Sequence, residues 1–427
     1  MIKILDSKKN NFSSSLDNLL LKRKNKIKFN SSIVINIIRD IRKNGDKALI
    51  KYEKKFGKSS IIFSRPKEIQ KQIKNLDKKV KKSIDLAYNR IFKFHSKQKV
   101  KNIFYKDKLQ NKLSYKYIPI DSVGIYVPGG TASYPSSVLM NAIPAIIAGV
   151  KRIAMVNPRN KGKQNSGVLY AAKKCGIKEI YSIGGAQAVA ALAYGTKKIV
   201  KVNKIVGPGN LYVTTAKKEI FGDTGIDMIA GPSEITVVGD KYSNPNWIAS
   251  DLIAQAEHDE LSQSILISKD KNLIKKVKKL LFDQLKKLPR KSIAEKSLKS
   301  NGILISVSSD QKLIEVINTI APEHLELNIK NYKNVVNRIT NAGSIFLGKY
   351  STEAVGDYLA GTNHVLPTAG SAKFSSGLSV YDFYKRISYI NLSKKGIETL
   401  GPSVITLANF EGLEGHAKSV ELRIRRK

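Results

Sequence analysis

The chain has 427 residues, of which 42% are hydrophobic and 26% charged, a balance typical of a globular protein with two or three domains. Its apolar runs, such as residues 142–150, fall short of the roughly 20 residues that cross a bilayer, and the N-terminus lacks the apolar core of a secretory signal. The single cysteine, Cys175, excludes an internal disulfide and suits a reducing compartment. We therefore expect a cytoplasmic protein without membrane contact.

The formal net charge of +41 introduces the alternative of a nucleic-acid-binding protein, because a positive field attracts phosphates. However, 62 of the 75 basic residues are Lys, and they are spread along the whole chain. Proteins that read nucleic acids rely on clustered Arg. We interpret the charge as Lys enrichment on solvated helix faces and expect no nucleic-acid partner. A sharply salt-dependent affinity for duplex DNA would favour the alternative.

The first hundred residues are predicted to be helical. Apolar residues recur every three or four positions between residues 69 and 94, which predicts a long amphipathic helix. Residues 33–41 have the same period and predict a helix that ends near Gly45. Residues 1–24 are polar and rich in Lys and Asn, apart from an apolar patch at 16–21. We expect them to form an arm outside the main core.

From residue 113 onward, short β-type runs alternate with helical stretches bounded by Gly, a pattern typical of βαβ units and mostly parallel sheets. We predict an α/β protein with two Rossmann-like domains and small N- and C-terminal appendages. The predicted strands that follow the VGIYV strand lie at residues 152–156, 179–183, 204–206, 234–238, 264–268, 303–307 and 344–347. The expected division is an arm at 1–24, a first α/β domain at 25–125 and 235–380, a second at 126–234, and a tail at 381–427 that is irregular after 387.

Histidine is scarce, and the five histidines are His95, His258, His324, His364 and His416. On a predicted helix over residues 246–258, Asp251, Gln255 and His258 have i, i+4, i+7 spacing and share one face. An imidazole nitrogen together with amide or carboxylate oxygens supplies half of a metal site. The alternative is a polar helix edge.

Glu323 and His324 follow Pro322, just beyond the end of a predicted helix. A carboxylate beside an imidazole offers two proton-transfer groups whose pKa values can be set apart by their surroundings. An exposed polar turn is the alternative for this pair.

Two further segments carry candidate ligands. Residues 356–368 are Gly-rich and contain Asp357 and His364, and residues 411–416 contain Glu411 and His416. Across the chain, the nitrogen and oxygen ligands suited to Zn²⁺ with substrate completing the coordination are Gln255, His258, Asp357 and His416. A zinc hydrolase is the alternative enzyme class, because a metal with a Glu–His pair can also direct water at an amide.

Two Gly-containing loops, residues 184–187 and 207–210, each follow a predicted strand and open a helix, where backbone N–H groups can contact phosphate. Neither matches the GxGxxG pattern, so the alternative is an ordinary tight βα turn.

Eight sequence segments taken together indicate a protein family far more specifically than any one of them does alone. They are SVGIYVPGGTASYPSSVLMNAIPA, GGAQAVAALAYGT, VGPGNLYV, AGPSE, AQAEHDE, APEHLEL, GDYLAGTNHVLPT and EGLEGH. In this order they resemble the histidinol dehydrogenase family over about residues 113–416, with weaker likeness in the N-terminal helical region. The departures are confined to Lys-rich surface positions.

The resemblance implies a zinc-dependent homodimer with intertwined subunits that oxidises L-histidinol to L-histidine through bound histidinal, reducing two NAD⁺ in the last step of histidine biosynthesis. It implies one Zn²⁺ per subunit and places most zinc and catalytic residues in the first domain and the NAD⁺ site in the second. The implied zinc ligands are Gln255, His258 and Asp357, with His416 arriving from the other subunit. The implied proton-transfer pair is Glu323 and His324. Substrate would be held by Ser233, Glu411, His324 and the zinc ligands, with His364 nearby, and NAD⁺ by Tyr126, Gln187 and Asn210.

The chemistry of these residues agrees with that reaction. A neutral His324 can take the alcohol proton as hydride leaves for NAD⁺. The aldehyde must then gain water before it has a second hydride to give, and Glu323 would activate that water, while zinc would act mainly by orienting substrate. A thiohemiacetal on Cys175 is the rival route. Its position at a predicted helix end, before Gly176, instead predicts a packing role.

Overall fold

The computed structural model describes residues 2–25, 31–98, 100–129, 134–160 and 162–424. Part of the VPGGTASYP loop and the last three residues therefore lie outside the described ranges. The strands are β1 (Lys3–Asp6), β2 (Ile103–Lys106), β3 (Lys112–Pro119), β4 (Ser122–Tyr126), β5 (Arg152–Val156), β6 (Glu179–Tyr181), β7 (Lys204–Val206), β8 (Gly225–Ile226), β9 (Glu234–Gly239), β10 (Gln263–Ser268), β11 (Ile303–Ser306), β12 (His324–Asn328), β13 (Ser344–Leu347) and β14 (Tyr384–Asn391).

Helices cover both faces of the larger sheets. They are α1 (Phe12–Asn25), α2 (Ser32–Tyr52), α3 (Pro66–Lys74), α4 (Lys78–His95), α5 (Pro135–Ala148), α6 (Ser166–Lys174), α7 (Gly185–Tyr194), α8 (Leu211–Ile220), α9 (Pro245–Ala256), α10 (Lys271–Leu285), α11 (Lys291–Asn301), α12 (Asp310–Ile320), α13 (Lys333–Val336), α14 (Glu353–Tyr358), α15 (Lys394–Phe410) and α16 (Glu414–Ile424). A π-helical turn at Glu53–Gly57 follows α2, and short 3₁₀ turns lie at Ser371–Lys373 and Val380–Phe383.

Three sheets organise the described residues. A six-stranded parallel sheet has the order β1-β11-β10-β9-β12-β13, and a five-stranded parallel sheet has the order β6-β5-β4-β7-β8. The third sheet, β14-β3-β2, is antiparallel. Every predicted strand overlaps an observed one, and the predicted α/β class with mostly parallel sheets is confirmed.

The two parallel sheets each have an apolar core on both faces, which explains the continuous apolar runs of their central strands. On the six-stranded sheet, α9, α10 and α11 pack on one face, and α1 and α12 pack on the other. On the five-stranded sheet, α4, α5 and α6 cover one face, and α2, α7 and α8 cover the other.

The N-terminal segment belongs to the six-stranded sheet, so the expectation of an arm outside the core was wrong. Strand β1 pairs in parallel with β11, and the apolar side chains of Phe12 and Leu16 on α1 are buried against the same sheet. An edge strand needs few apolar residues, because one of its sides faces solvent. This explains why a polar, Lys-rich segment can still be part of the sheet.

The helices of residues 32–95 pack on the five-stranded sheet rather than with the domain to which the expected boundaries assigned them. Val34 and Ile41 of α2 and Ile84 and Ile91 of α4 contribute to the two cores of that sheet. Helix α2 contains a break at Gly45, where φ is 51°, close to the predicted end. The predicted long helix is divided into α3 and α4, because the Asp77 carboxylate accepts hydrogen bonds from backbone N–H groups and caps the start of α4.

The C-terminal tail is ordered, contrary to the expectation of irregular structure after residue 387. Strand β14 pairs antiparallel with β3, and α15 packs against α16. Gly401 allows the close approach of these helices, since a Cβ there would lie 3.1 Å from side-chain atoms of Val420 and Ile424. Gly396, Gly401 and Pro402 interrupt the apolar period within α15, which is why the sequence pattern did not indicate a helix.

No helix within the described ranges is long and apolar enough to cross a membrane.

Cys175 provides a test of the packing. It caps α6, its side chain is buried in the core formed with α4 and α5, and burial raises the pKa of its thiol to about 12. We expect the native protein to resist thiol reagents, because the thiol is neither ionised nor accessible. Cys175→Ala should lower the free energy of unfolding by about 1–2 kcal/mol in urea titrations. Rapid modification of the folded protein would contradict this prediction.

Candidate active site

A cavity of ≈480 Å³ lies between the two parallel sheets. It adjoins the amino ends of β9 and β12 and the loops that follow the carboxyl ends of β4 and β7. The predicted site residues that line it together are Asn210, Ser233, Gln255, His258, Glu323, His324, Asp357 and His364. Eight predicted residues, from segments that are far apart in the sequence, therefore meet at one place.

His324 is the first residue of β12 and is 3% exposed. Its Nδ1 lies 3.0 Å from the backbone carbonyl oxygen of Glu234, to which it donates, while Nε2 is buried and has no hydrogen-bond partner among the described residues. Burial lowers the pKa of the His324 ring, although the Asp357 carboxylate opposes this effect. The neutral ring with its proton on Nδ1 leaves the Nε2 lone pair available to accept a proton.

Glu323 is also buried, at 5% exposure. Its Oε2 accepts a hydrogen bond from the backbone N–H of Glu234 at 2.7 Å and lies 3.6 Å from His324 Nδ1. Burial, and next the Glu234 carboxylate, raise the pKa of Glu323 well above its ordinary value. Once ionised, such a carboxylate is a strong proton acceptor.

The alternative of an exposed polar turn at Glu323–His324 is wrong. Ala321 adopts a left-handed conformation with φ of 47°, and the chain passes from the end of α12 into β12 within four residues. Strand β12 lies between β9 and β13, so both side chains are enclosed by the sheet and its neighbours.

Gln255 lies near the end of α9 and is fully buried, and neither polar atom of its amide has a hydrogen-bond partner among the described residues. An unsatisfied buried amide costs about 1–3 kcal/mol, which favours direct contact with a ligand. His258 lies in the turn beyond α9, not on its face as predicted, because the helix ends at Ala256. Asp251 lies outside the cavity and accepts a hydrogen bond from the Thr352 hydroxyl at 3.0 Å.

Asp357 and Glu353 have i, i+4 spacing on α14, so both point into the cavity. His324, Glu353 and Asp357 each present one potential ligand atom, and these atoms lie within 4.8 Å of one another. Glu353 was not among the predicted residues, although its spacing from Asp357 was a usable signal. With the Gln255 amide and His258 on the same cavity, this set of nitrogen and oxygen donors fits a divalent cation such as Zn²⁺.

A second cavity, of ≈990 Å³, adjoins the first, and Pro128, Tyr134, Asn210 and His258 line both. The three predicted cofactor-binding residues, Tyr126, Gln187 and Asn210, line this second cavity together.

Internal hydrogen bonds hold the walls of the second cavity. The Tyr126 hydroxyl accepts a hydrogen bond from the N–H of Gly185 at 2.9 Å, and burial raises the pKa of Tyr126 to about 12. Glu53 Oε1 accepts from Gln187 Nε2 at 2.8 Å and from the N–H of Gly184 at 3.0 Å. The sequence held no signal for Glu53, because only the fold brings the turn after α2 to the start of α7.

A buried ion pair holds the backbone of the loop that carries Asn210. It joins Lys217 and Asp227, and both side chains also bond to the backbone of Gly207, at 3.0 and 2.8 Å respectively. Gly207 has φ of 111°, and a Cβ there would lie 2.2 Å from the Tyr126 carbonyl oxygen. Glycine is therefore required at this position, and Asn210 is held where its side chain caps α8.

Glu411 and His416 do not line either cavity of their own chain. Both are exposed, Glu411 at the end of α15 and His416 in the first turn of α16. The expectation that they complete the site of a neighbouring subunit stays a prediction.

Comparison with known proteins identifies the family. The profile of the histidinol dehydrogenase family matches residues 21–424. The chain is 71% identical to a histidinol dehydrogenase of Pelagibacter ubique, over the full length of both, and 50% identical to one of Agrobacterium fabrum, over 92% of each. The crystal structure of histidinol dehydrogenase from Elizabethkingia anophelis superposes with a TM-score of 0.91 at 39% identity, covering 99% of this chain and 98% of the other. The chain thus belongs to the histidinol dehydrogenase family and is an oxidoreductase of histidine biosynthesis.

Proposed function

We propose that the enzyme oxidises L-histidinol to L-histidine, through bound histidinal, in the smaller cavity. Two NAD⁺, bound one after the other in the larger cavity, would accept the hydrides. The enzyme would act as a cytoplasmic homodimer. The observation that carries this proposal is that His324 lines a cavity that adjoins a second one, with Nδ1 hydrogen-bonded to a carbonyl oxygen and Nε2 without a partner among the described residues. Such a ring is suited to accept a proton while hydride leaves on the side of the dinucleotide.

Gln255, His258 and Asp357, with the partner subunit's His416, would hold Zn²⁺, whose charge when bound would orient the imidazole and amine of the substrate. The buried Gln255 amide supports this assignment, because it has no hydrogen-bond partner in the described part of the chain, as does the convergence of Asp357 with Glu353 and His324. Ser233 and the partner subunit's Glu411 would contribute further hydrogen bonds to substrate, and His364 would lie beside it.

In the first oxidation, His324 would take the proton of the substrate hydroxyl at Nε2 as the carbon loses hydride. The hydrogen bond from Nδ1 to the Glu234 carbonyl oxygen fixes the ring orientation and the tautomer for this task. The imidazolium that forms would have its Nε2 3.8 Å from Oδ1 of Asp357, whose negative charge favours it.

The second oxidation requires water to add to the aldehyde, because only the hydrate has a second hydride to release. Glu323 would take a proton from that water. Among the described residues, its one hydrogen bond comes from the Glu234 N–H to Oε2, which leaves the other carboxylate oxygen available. His324 would again take the hydroxyl proton as the second hydride leaves. The overall change consumes one water and two NAD⁺ and yields a carboxylate, two NADH and three protons.

On the dinucleotide side, Tyr126, Gln187 and Asn210 would contact NAD⁺. This assignment is supported because all three line the larger cavity and because the Gly207 loop and Glu53 hold them in place.

The direct test of the function is NADH formation from histidinol, with and without a chelator. Two NADH per histidinol is the expected yield, whereas amide hydrolysis without NADH would favour a zinc hydrolase.

The roles of Glu323 and His324 can be separated. Glu323→Gln should slow the oxidation of histidinal more than that of histidinol, because only the aldehyde step needs activated water. His324→Asn should slow both, since each hydride transfer releases an oxygen-bound proton. General-base losses of about 10²–10⁴-fold are resolvable in single-turnover traces of NADH formation from each substrate. If Glu323→Gln slowed both steps equally, the proposal that Glu323 activates the water would be wrong.

The metal assignment predicts loss of zinc without loss of fold. His258→Asn should abolish both bound zinc, measured by metal analysis, and turnover, while the circular dichroism stays near wild type. The reason is that the proposed ligands come from separate segments of a chain whose cores form without them. The matched control is Asp259→Asn, the next residue on the same cavity, which should keep its zinc. Full zinc content in His258→Asn would refute the assignment.

A site shared between subunits predicts complementation. His416→Asn and His258→Asn proteins should each be inactive, but mixing them with subunit exchange should restore part of the activity. A heterodimer would then contain one site with both defects and one with neither. Native mass spectrometry can verify the exchange. If activity stays absent in verified heterodimers, each chain completes its own site.

A further inference from the structure

Arg23 lies near the end of α1, in the segment expected to form an arm, and is 8% exposed. Its guanidinium donates from Nη1 to the Glu234 carboxylate at 3.0 Å and from Nη2 to the carbonyl oxygen of Ile320 at 3.0 Å. Both side chains of this ion pair are buried, with 7% of the Arg23 side-chain surface and 4% of the Glu234 side-chain surface exposed. Nη1 also donates to Gln263 Oε1 at 3.4 Å, at the start of β10. Besides that strand, Arg23 joins two segments, the start of β9 and the end of α12.

Both segments lead directly to the proton-transfer pair. Glu234 donates its backbone N–H to Glu323 Oε2 at 2.7 Å, and its carbonyl oxygen accepts from His324 Nδ1 at 3.0 Å. Ile320 ends α12, three residues before Glu323. The position of a single peptide segment therefore decides where both side chains point.

The Glu234 side chain is in turn fixed at both oxygens. Oε1 accepts from the N–H of Ala369 at 2.9 Å, and Oε2 accepts from Arg23. The planar guanidinium suits this arrangement, because its fixed fork can bond a carboxylate and a carbonyl oxygen at the same time, which the single ammonium of Lys does less well.

We propose that Arg23 is a positioning residue for the oxidation, which holds the Glu234 peptide so that Glu323 and His324 keep their orientation. The inference rests on the proposed roles of those two residues. Arg23 lines neither cavity, so it acts through its contacts with Glu234 and the end of α12 and not by touching substrate.

Docking of α1 does not depend on this ion pair. Phe12 and Leu16 anchor the helix in the apolar core of the six-stranded sheet, and β1 anchors the segment before it. A buried ion pair contributes little net stability compared with apolar side chains of the same volume. The pair is therefore better explained by the geometry that it imposes, because a misplacement of about 1 Å at reacting groups can cost about 10²-fold in rate.

The test compares the zinc-loaded Arg23→Ala, Arg23→Lys and Leu16→Ala enzymes with wild type. We expect Arg23→Ala to lower kcat for both oxidations by about 10–10²-fold with the KM for NAD⁺ nearly unchanged, and Arg23→Lys to recover part of the loss. Leu16→Ala, which weakens α1 packing without touching Glu234, should lower the melting temperature and keep kcat. Should Arg23→Ala fail to fold, Arg23→Lys and Glu234→Gln serve for the same comparison.

A second readout does not depend on activity. In ¹⁵N-histidine NMR, with the His324 signals identified from His324→Asn, Arg23→Ala should shift the Nδ1 resonance of His324, whereas Leu16→Ala should not. Unchanged kcat and unchanged His324 resonances in folded Arg23→Ala would overturn the inference, as would an equal kcat loss in Leu16→Ala. A wild-type enzyme without NADH formation would instead overturn the proposed function, while the resonances would still decide the role of Arg23.

Discussion

The peptide of Glu234 is the constraint on which the site depends. Successive residues of a strand point to opposite faces, so adjacent side chains such as Glu323 and His324 do not ordinarily meet the same neighbour. Here they do, because Glu323 precedes β12 while His324 begins it, and the parallel register pairs His324 with Ile235. One peptide segment of the neighbouring strand β9 then offers an N–H to the first side chain and a carbonyl oxygen to the second. A shift of one residue in the register would break both contacts.

The electrostatics of the site contrast with those of the whole chain. The protein carries a net charge of +41, yet Glu323 and Glu353 are buried on the smaller cavity, and Glu234 and Glu326, which are hydrogen-bonded to them, are buried behind it. Burial is the main cause of the raised pKa of each of these carboxyl groups. Several buried carboxyl groups in one place are costly unless cations accompany them. This supports a site that receives a divalent cation and the amine of a substrate.

Sequence patterns indicated which residues lie together on the cavities better than they indicated the limits of the domains. The strands of the parallel sheets were predictable because buried parallel strands are continuous apolar runs between Gly-bounded turns, and the proposed ligands stood out because histidine is rare in a Lys-rich chain. Glu53 and Arg23 were not predictable, since each acts through a partner more than 130 residues away. The C-terminal helix α15 was missed because Gly and Pro interrupt its pattern, and β1 because an edge strand need not be apolar.

The pairing of β1 with β11 has a consequence for how the chain folds. All strands of the five-stranded sheet lie between residues 122 and 226, so that sheet can assemble while later residues are still being synthesised. The six-stranded sheet cannot be completed in this way, because its first strand pairs with residues 303–306. Contacts so far apart in sequence form slowly. We expect the N-terminal strand of the nascent chain to remain unpaired during most of translation. The contact between Arg23 and Ile320 would then form in one of the last steps of folding.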